Sequence, residues 1–442
     1  MKSEQRIVYG NGSNMKQADI LLVNVEIEDV VSNVVIRDNV IESIGEKSAD
    51  AKEVIDCRKL WVFPGVIDPH VHMRDLAQSY KEDWESGSAA AIRGGVTTVF
   101  DMPNNVPPII NTENLELKRK AARKGKLNYL LYLGATNSNR DELRRILDGE
   151  PDDIAGIKVF LAASSTNEIM DNVKELRRIF ELGKEYNRII TVHTELQKFI
   201  APRYKYPLKI ENHNTIRDRK AAITGLEICL TLARNIGNKL YIAHVSTVEE
   251  LEMIRKEKAI GQNIYCEISP HHLLLDETIC PQMGNFAKVN PPLRTKDDNA
   301  ALWEAISDYT VDTIGSDHAP HHLKEKKCAY SSALSGFPGL ETTVPLLATC
   351  VNKGKLSKGR MVDLLSRKAA YIFGLNKMNG LKEGNAANLT IIDPAGTDTI
   401  SGMKNLSKAK YTPFEGRKTK GQVVYTIVKG ELFKCEERRK KV

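Results

Sequence analysis

The sequence predicts an α/β protein: a (β/α)8 TIM-type barrel carrying a small composite β-sandwich domain drawn from both termini. Three observations predict it. Metal-type ligands stand at the downstream ends of successive short apolar runs, strand-like and helix-like runs alternate through the centre, and a β-rich texture recurs at both ends. Ligands gathered at the C-terminal ends of consecutive strands are how such a barrel builds an active site.

In chain order, residues 1–14 are polar and rich in Gly and Asn, a loose arm, with Met15 an alternative start. From Ala18 come short β-type runs, ADILLVNVEI, SNVVIRDNVIESIG and KEVIDCRKLWVFPG, broken by Asp-Asn and Gly turn signals. The same texture returns after Leu381 in GNAANLTIIDP and KGQVVYTIVKGELF. Residues 1–62 and 381–442 are therefore expected to form one small β domain around a barrel at 63–380. Eight strand candidates line that centre: VFPGVIDPHVHM, VTTVFDMP, KLNYLLYLGA, AGIKVFLA, RIITVHTE, KLYIAHVS, NIYCEISP and DTIGSDHAP. Amphipathic stretches such as NVKELRRIFELGKEY and TVEELEMIRKEK separate several of them. Such alternation means parallel strands under covering helices. The first strand is followed by neither a P-loop nor a dinucleotide-type glycine loop, which counts against an open sheet.

Composition excludes several classes of function. With 442 residues, 41% hydrophobic and 27% charged, the chain is that of a globular protein. The net charge of +7 is spread, and the only dense basic patch is the end at Arg438, Arg439, Lys440 and Lys441, which reads as a solvated tail. Aromatics are 6% with no stacking motif, so no nucleic-acid partner is expected. The seven scattered cysteines, without a CxxC pair, fit reduced thiols. The start has no secretory apolar region and no stretch has membrane-span length, so a cytoplasmic protein without membrane contact is expected.

The chemistry lies at five strand ends. His70 and His72 are two apart on a strand, so both imidazoles point to one face, a common arrangement for one metal. Lys158 in GIKVFLA is a charged residue in an apolar strand. If it faces the barrel interior, burial drives it towards the neutral amine, which can capture carbon dioxide as a carbamate able to bridge two metals. Its bland alternative is a lysine snorkelling from a strand end. His193 and His244 each end a strand run, and Asp317 in GSDHAPHH closes the eighth, where a carboxylate can bind metal and shuttle a proton. His321 lies above the same mouth, His322 reads as surface, and His213, His271 and His272 have no assigned part.

These motifs resemble those of the dihydroorotases, in the cyclic amidohydrolase family of metal-dependent barrels. The matching stretches are PGVIDPHVHMR, GGVTTVFDMPNNVPP, GIKVFLA, VHTE, AHVS, EISPHHL, VNPPLR, GSDHAPH and GFPGLET, in family order across nearly the whole barrel. The resemblance implies two Zn2+ per chain, bridged by carboxylated Lys158 and a hydroxide. His70, His72, Lys158 and Asp317 would hold one, and carboxylated Lys158, His193 and His244 the other. It implies Asp317 as catalytic acid and base, and reversible cyclisation of N-carbamoyl-L-aspartate to L-dihydroorotate in de novo pyrimidine (UMP) biosynthesis. The lysine form occurs in hydantoinases too, so Lys158 does not separate the two activities.

Substrate choice is expected from Arg74, two past the HxH pair and on its face, whose fork suits a carboxylate. The other reading of Arg74 is a salt bridge to Asp75 or Glu82. Asn104, Asn290 and His321 resemble further substrate contacts, as does the backbone at Ser335 and Gly336. The loop LAASSTNEIM resembles a closing lid, through Ser165 or Thr166. Implied partners are the small-molecule substrate, a second copy in a homodimer, and aspartate carbamoyltransferase. Three other readings remain: another cyclic amidohydrolase (hydantoinase, dihydropyrimidinase or allantoinase), a non-catalytic scaffold, and a one-metal zinc deaminase on the same barrel.

Overall fold

Apolar strands of the centre, hydrophobic on both faces, can be satisfied only between two apolar layers. The computed structural model places them so, and it describes residues 17–27, 30–46, 49–163 and 169–435. The arm at 1–14 with Met15, the lid residues Ser165 and Thr166, and the basic tail at 438–441 lie outside the described residues.

The first strands are β1 (Ala18–Ile27), β2 (Val30–Arg37), β3 (Val40–Gly45), β4 (Ala51–Asp56) and β5 (Trp61–Pro64). The barrel strands are β6 (Val66–Val71), β7 (Val96–Asp101), β8 (Asn128–Gly134), β9 (Ile154–Phe160), β10 (Ile189–His193), β11 (Leu240–Ile242), β12 (Ile264–Ile268) and β13 (Thr313–Ile314). The chain closes with β14 (Leu389–Thr399), β15 (Lys418–Val428) and β16 (Glu431–Lys434). All eight barrel candidates are strands, hydrogen-bonded in sequence order as one eight-stranded sheet. A bridge between Val71 and His318, with the His72 N–H donating to the His318 carbonyl at 2.8 Å, joins the last strand region to the first. The eighth strand is short because GSDHAP turns the chain at once.

A helix follows each barrel strand: Trp84–Arg93, Thr112–Ala122, Arg140–Asp148, Val173–Glu185, Arg219–Ile236, Val248–Ala259, Lys296–Ser307 and Thr343–Asn352. Their starts are written locally. Asp83 with Ser86, Thr247 with Glu250 and Thr295 with Asp298 form reciprocal capping boxes, and Asn111, Asn172 and Asp218 cap through their side chains. One apolar core lies between strands and helices, with Val99, Leu131, Ile157, Val159, Ile190 and Val192 facing outward. A second cluster, including Ile67, Phe100, Leu130, Tyr132 and Leu375, packs separately from it.

Two four-stranded sheets make the small unit, in orders β3-β2-β1-β4 and β16-β15-β14-β5. Ile20, Leu22, Ile36 and Ile41 from the N-terminal strands pack with Leu389, Ile391, Val424 and Ile427 from the C-terminal ones. Chain ends far apart in sequence thus share a core, as the recurring β texture implies.

Candidate metal centre and substrate wall

The strand pleat carries the ligand candidates inward. Ile157 and Val159 join the outer core, so Lys158 faces the interior, where it is 0% exposed. At the mouth, His70, His72 and Asp317 each offer a ligand atom, all within 4.8 Å of one another. Nε2 of His70 and Nε2 of His72 lie 3.4 and 3.3 Å from Asp317 Oδ1. On the other side, His193 Nδ1 is 2.9 Å from His244 Nε2, and the His70 and His244 ring centroids are 5.2 Å apart.

Each imidazole's far nitrogen has an acceptor except one. His70 Nδ1 meets Glu267 Oε1 at 2.8 Å, His72 Nδ1 meets Asn104 Oδ1 at 2.7 Å, and His193 Nε2 meets Glu195 Oε2 at 3.0 Å. Such partners fix the tautomer and leave the opposite nitrogen's lone pair aimed into the mouth. Two buried nitrogens there, Lys158 Nζ and His244 Nδ1, have no hydrogen-bond partner among the described residues. Burial holds His70 down at about 3, helped by the Lys158 charge and opposed by Asp317. His72, His193 and His244 are also lowered, by burial first. Burial likewise pushes the Lys158 ammonium down and the Glu267 carboxyl up, although each favours the other's charged form. Neutral imidazoles and a carboxylate are a donor set that divalent cations take. The residues present therefore fit a metal centre.

The backbone is strained at this centre. Arg74, Asp75 and Leu76 have φ of 61°, 46° and 44°, and His244 and Asp317 have 36° and 48°. Non-glycine residues held in this region typically cost about 1–3 kcal/mol each and persist where the surroundings impose them, which is common at functional sites. This corrects one expectation. Strand alternation does not place Arg74, because the strand ends at Val71 and the left-handed turn re-aims the side chain.

Arg74 is buried, its Nε donates to the Pro320 carbonyl at 3.1 Å, and one terminal nitrogen lies 3.2 Å from His321 Nε2. Among the described residues its other terminal nitrogen has no hydrogen-bond partner and no carboxylate lies within ion-pair distance of it. The alternative salt bridge to Asp75 or Glu82 is absent: Asp75 takes Lys118 and the Trp84 indole N–H, and Glu82 takes Ser407 and the Lys408 N–H. His321 Nε2 donates to the Ser335 carbonyl at 2.9 Å. The Gly336 N–H and carbonyl are already bonded, to the Lys288 carbonyl and to Lys326 and Tyr411. Asn290 is half-buried and its Oδ1 has no hydrogen-bond partner among the described residues. Asn104 serves His72 directly, a part that its reading as a substrate contact does not include.

Sequence reasoning missed Glu267, Glu195 and Asp68. Glu267 accepts from His70, the Tyr241 hydroxyl at 2.9 Å and the His244 N–H at 3.2 Å, and a Cβ on Gly315 would strike its carboxylate at 2.5 Å. The signal that found Lys158, a charge inside an apolar strand, applies equally to Glu267 in IYCEI. Arg217 pairs with Glu195 at 2.6 Å, and its charge and the His193 contact outweigh burial to hold that carboxyl well below the usual range. Asp68 accepts the Ser316 and His70 N–H groups, while burial pushes its carboxyl up to about 7. His322 is exposed and caps a short helix, as read. His213 is buried between Tyr330 and the Val289 carbonyl, a structural histidine.

His213 and His272 give a pH prediction outside the ligand cluster. Burial lowers them to about 3 and about 4 in the native state, against 6.5 unfolded. Below 6.5 the unfolded chain binds protons that the native one refuses, so stability falls with pH, by about 1.4 kcal/mol per unit for each group. Urea melts of wild type and His213→Gln at pH 7.5 and 5 should show a steeper acid loss for wild type; parallel curves would reject this account.

The amidohydrolase family model matches residues 61–433. Dihydroorotase from Geobacter metallireducens is 34% identical over 422 residues, covering 91% of this chain and 95% of that protein. The chain belongs to the amidohydrolase family. The dihydroorotase of Lactobacillus gasseri is 36% identical over 413 residues, again covering 91% and 95%. Among solved structures, the amidohydrolase fold matches L-hydantoinase (dihydropyrimidinase) from Arthrobacter aurescens at TM-score 0.88, with 29% identity covering 94% and 96%. D-hydantoinase from Thermus sp. matches at 0.85, with 29% identity covering 93% and 94%. No helix among the described residues is long and apolar enough to cross a membrane.

Proposed function

We propose that the protein is a dihydroorotase, a cyclic-amide hydrolase that interconverts N-carbamoyl-L-aspartate and L-dihydroorotate in pyrimidine (UMP) biosynthesis. The similarity to dihydroorotases supports it, and the observation that carries it is the buried Arg74 guanidinium beside the ligand cluster, without a carboxylate partner among the described residues. Dihydroorotate bears a carboxylate that hydantoins and allantoin lack.

Two zinc ions would suit the donor set: His70, His72, Asp317 and Lys158, once carboxylated, would hold one, and Lys158, His193 and His244 the other. When bound they polarise the amide carbonyl and lower the pKa of water. The chain does the rest. Glu267, Asn104 and Glu195 hold the imidazoles in the tautomers that present a lone pair. Arg74, beside His321, receives the α-carboxylate, with Asn104 and Asn290 near the ring and the Ser335–Gly336 segment as a wall. In ring opening, Asp317 takes the proton from the attacking water and delivers it to the leaving ring nitrogen; in cyclisation it runs in reverse.

Hydantoinase activity is the second reading, favoured by the fold match to hydantoinases. A spectrophotometric ring-opening assay with dihydroorotate, hydantoin, dihydrouracil and allantoin, each with and without chelator, separates them. Chelator-sensitive turnover of dihydroorotate above the others is expected; turnover of hydantoin or allantoin without dihydroorotate rejects the proposal. Arg74→Ala should raise KM about 10- to 100-fold with kcat little changed, since charged hydrogen bonds are worth roughly 1.5–3 kcal/mol. Arg74→Lys should not restore it, lacking the planar fork. We further read residues 63–380 as the catalytic unit, 1–62 with 381–442 as the composite domain, and a homodimer that associates with aspartate carbamoyltransferase; light scattering and co-sedimentation test the last two.

A further inference from the structure

Lys326, at the end of the helical turn Leu323–Lys326, is 1% exposed and has no carboxylate within ion-pair distance among the described residues. Its Nζ donates to the main-chain carbonyls of Lys288, Leu334 and Gly336 at 3.1, 2.8 and 3.2 Å. These three carbonyls can accept all three hydrogens of an ammonium, and so oppose burial and the Lys288 charge, which push the group well below its usual range. The Phe337 and Tyr411 ring centroids lie 5.7 and 5.8 Å away, adding cation–π contacts. A buried ammonium is costly without such partners. Here the main chain itself supplies them.

The carbonyls so bound belong to the wall beside the ligand cluster. Leu334, Ser335 and Gly336 lie in neither helix nor strand, and their carbonyls are taken in turn by Lys326, by His321 Nε2, and by Lys326 with the Tyr411 hydroxyl at 3.2 Å. The Lys288 carbonyl, two residues before Asn290, also accepts the Gly336 N–H at 2.9 Å. Gly336 has φ 136°, and a Cβ there would strike Ala319 at 2.6 Å. Side-chain donors together with the main-chain bonds of Leu334 N–H to the Glu325 carbonyl and Gly336 N–H to the Lys288 carbonyl fix the course of this segment, and His321, bonded to it, lies 3.2 Å from an Arg74 terminal nitrogen.

We infer that Lys326 is a positioning residue for substrate recognition: it ties the 288–290 and 334–336 segments into one wall and thereby sets His321 against Arg74. The inference rests on the proposed role of that wall in receiving the substrate. Lys326 touches neither the ligand cluster nor Arg74 through any hydrogen bond described above, so its loss acts on binding.

Lys326→Met keeps the stem and deletes the donors. Its KM for dihydroorotate should rise about 10- to 100-fold, as expected for lost charged hydrogen bonds. Its kcat should stay within about threefold and its metal content per chain should not change, the signature of lost uniform binding. Lys326→Arg should recover only part of the affinity, because a guanidinium cannot place three hydrogens from one atom. Tyr411→Phe removes a single donor to Gly336 and should raise KM less, in the same direction; it carries the test alone if Lys326→Met does not fold. An unchanged KM in the folded variant, or a fall in kcat or metal content with KM unchanged, overturns the inference. If wild type opens another ring and not dihydroorotate, the proposed function falls, and the KM-against-kcat comparison on that ring still decides the role of Lys326.

Discussion

Replacing Asp317 by Asn should lower kcat for dihydroorotate ring opening by roughly 10³-fold, within the range of about 10²–10⁴ that general acid–base catalysis supplies. The substitution keeps the shape and an oxygen near His70 and His72, whose Nε2 atoms lie 3.4 and 3.3 Å from the present carboxylate oxygen. It removes the group that can both take and return a proton. A loss confined to the transition state lowers kcat and kcat/KM together and leaves KM in place. Metal content measured on the same preparation separates the two roles. A variant that retains its metal yet loses kcat places the proton transfer on Asp317. One within tenfold of wild-type kcat means that another group carries the proton.

The sequence makes the centre of this protein legible because barrel physics is periodic. Eight apolar runs with ligands at their downstream ends can be read by eye, and all eight are strands in order. The ligand candidates stand out for the same reason: one alone would be read as a structural histidine or a snorkelling lysine, and only their recurrence at successive strand ends marks them. What was hidden depends on three-dimensional neighbours. Arg74 is aimed by a run of left-handed residues that no strand pattern announces. Asn104 reads as a substrate contact, yet its oxygen holds His72. Lys326 sits in a polar, lysine-rich stretch, HHLKEKKC, which periodicity marks as surface; only the fold brings three carbonyls around it. Glu267 was visible in principle, being a carboxylate inside a strand that otherwise reads as core.

Lys158→Met should yield a protein that is more stable without metal and inactive with it. The lysine is fully buried and its Nζ has no hydrogen-bond partner among the described residues, so the metal-free fold carries the penalty of an amine in an apolar strand. Exchanging an unpartnered buried amine for an apolar side chain of similar length removes the cost of an unsatisfied polar group, typically about 1–3 kcal/mol. The opposing effect would be a stranded Glu267. That carboxyl is already pushed up by burial, and it keeps the His70, Tyr241 and His244 donors, so the sign stays favourable. Activity should move the other way, because the bridging position proposed for both metals is gone. A loss of about 4 kcal/mol of transition-state stabilisation, within the several attributed to metal ions, is roughly 10³-fold in rate. Zinc titration completes the test: wild type should gain thermal stability as ligand mass action requires, and the variant should gain much less. A variant that melts below wild type in chelator, or opens the ring at a comparable rate, would mean that Lys158 is a packing residue whose amine finds its partners within the protein.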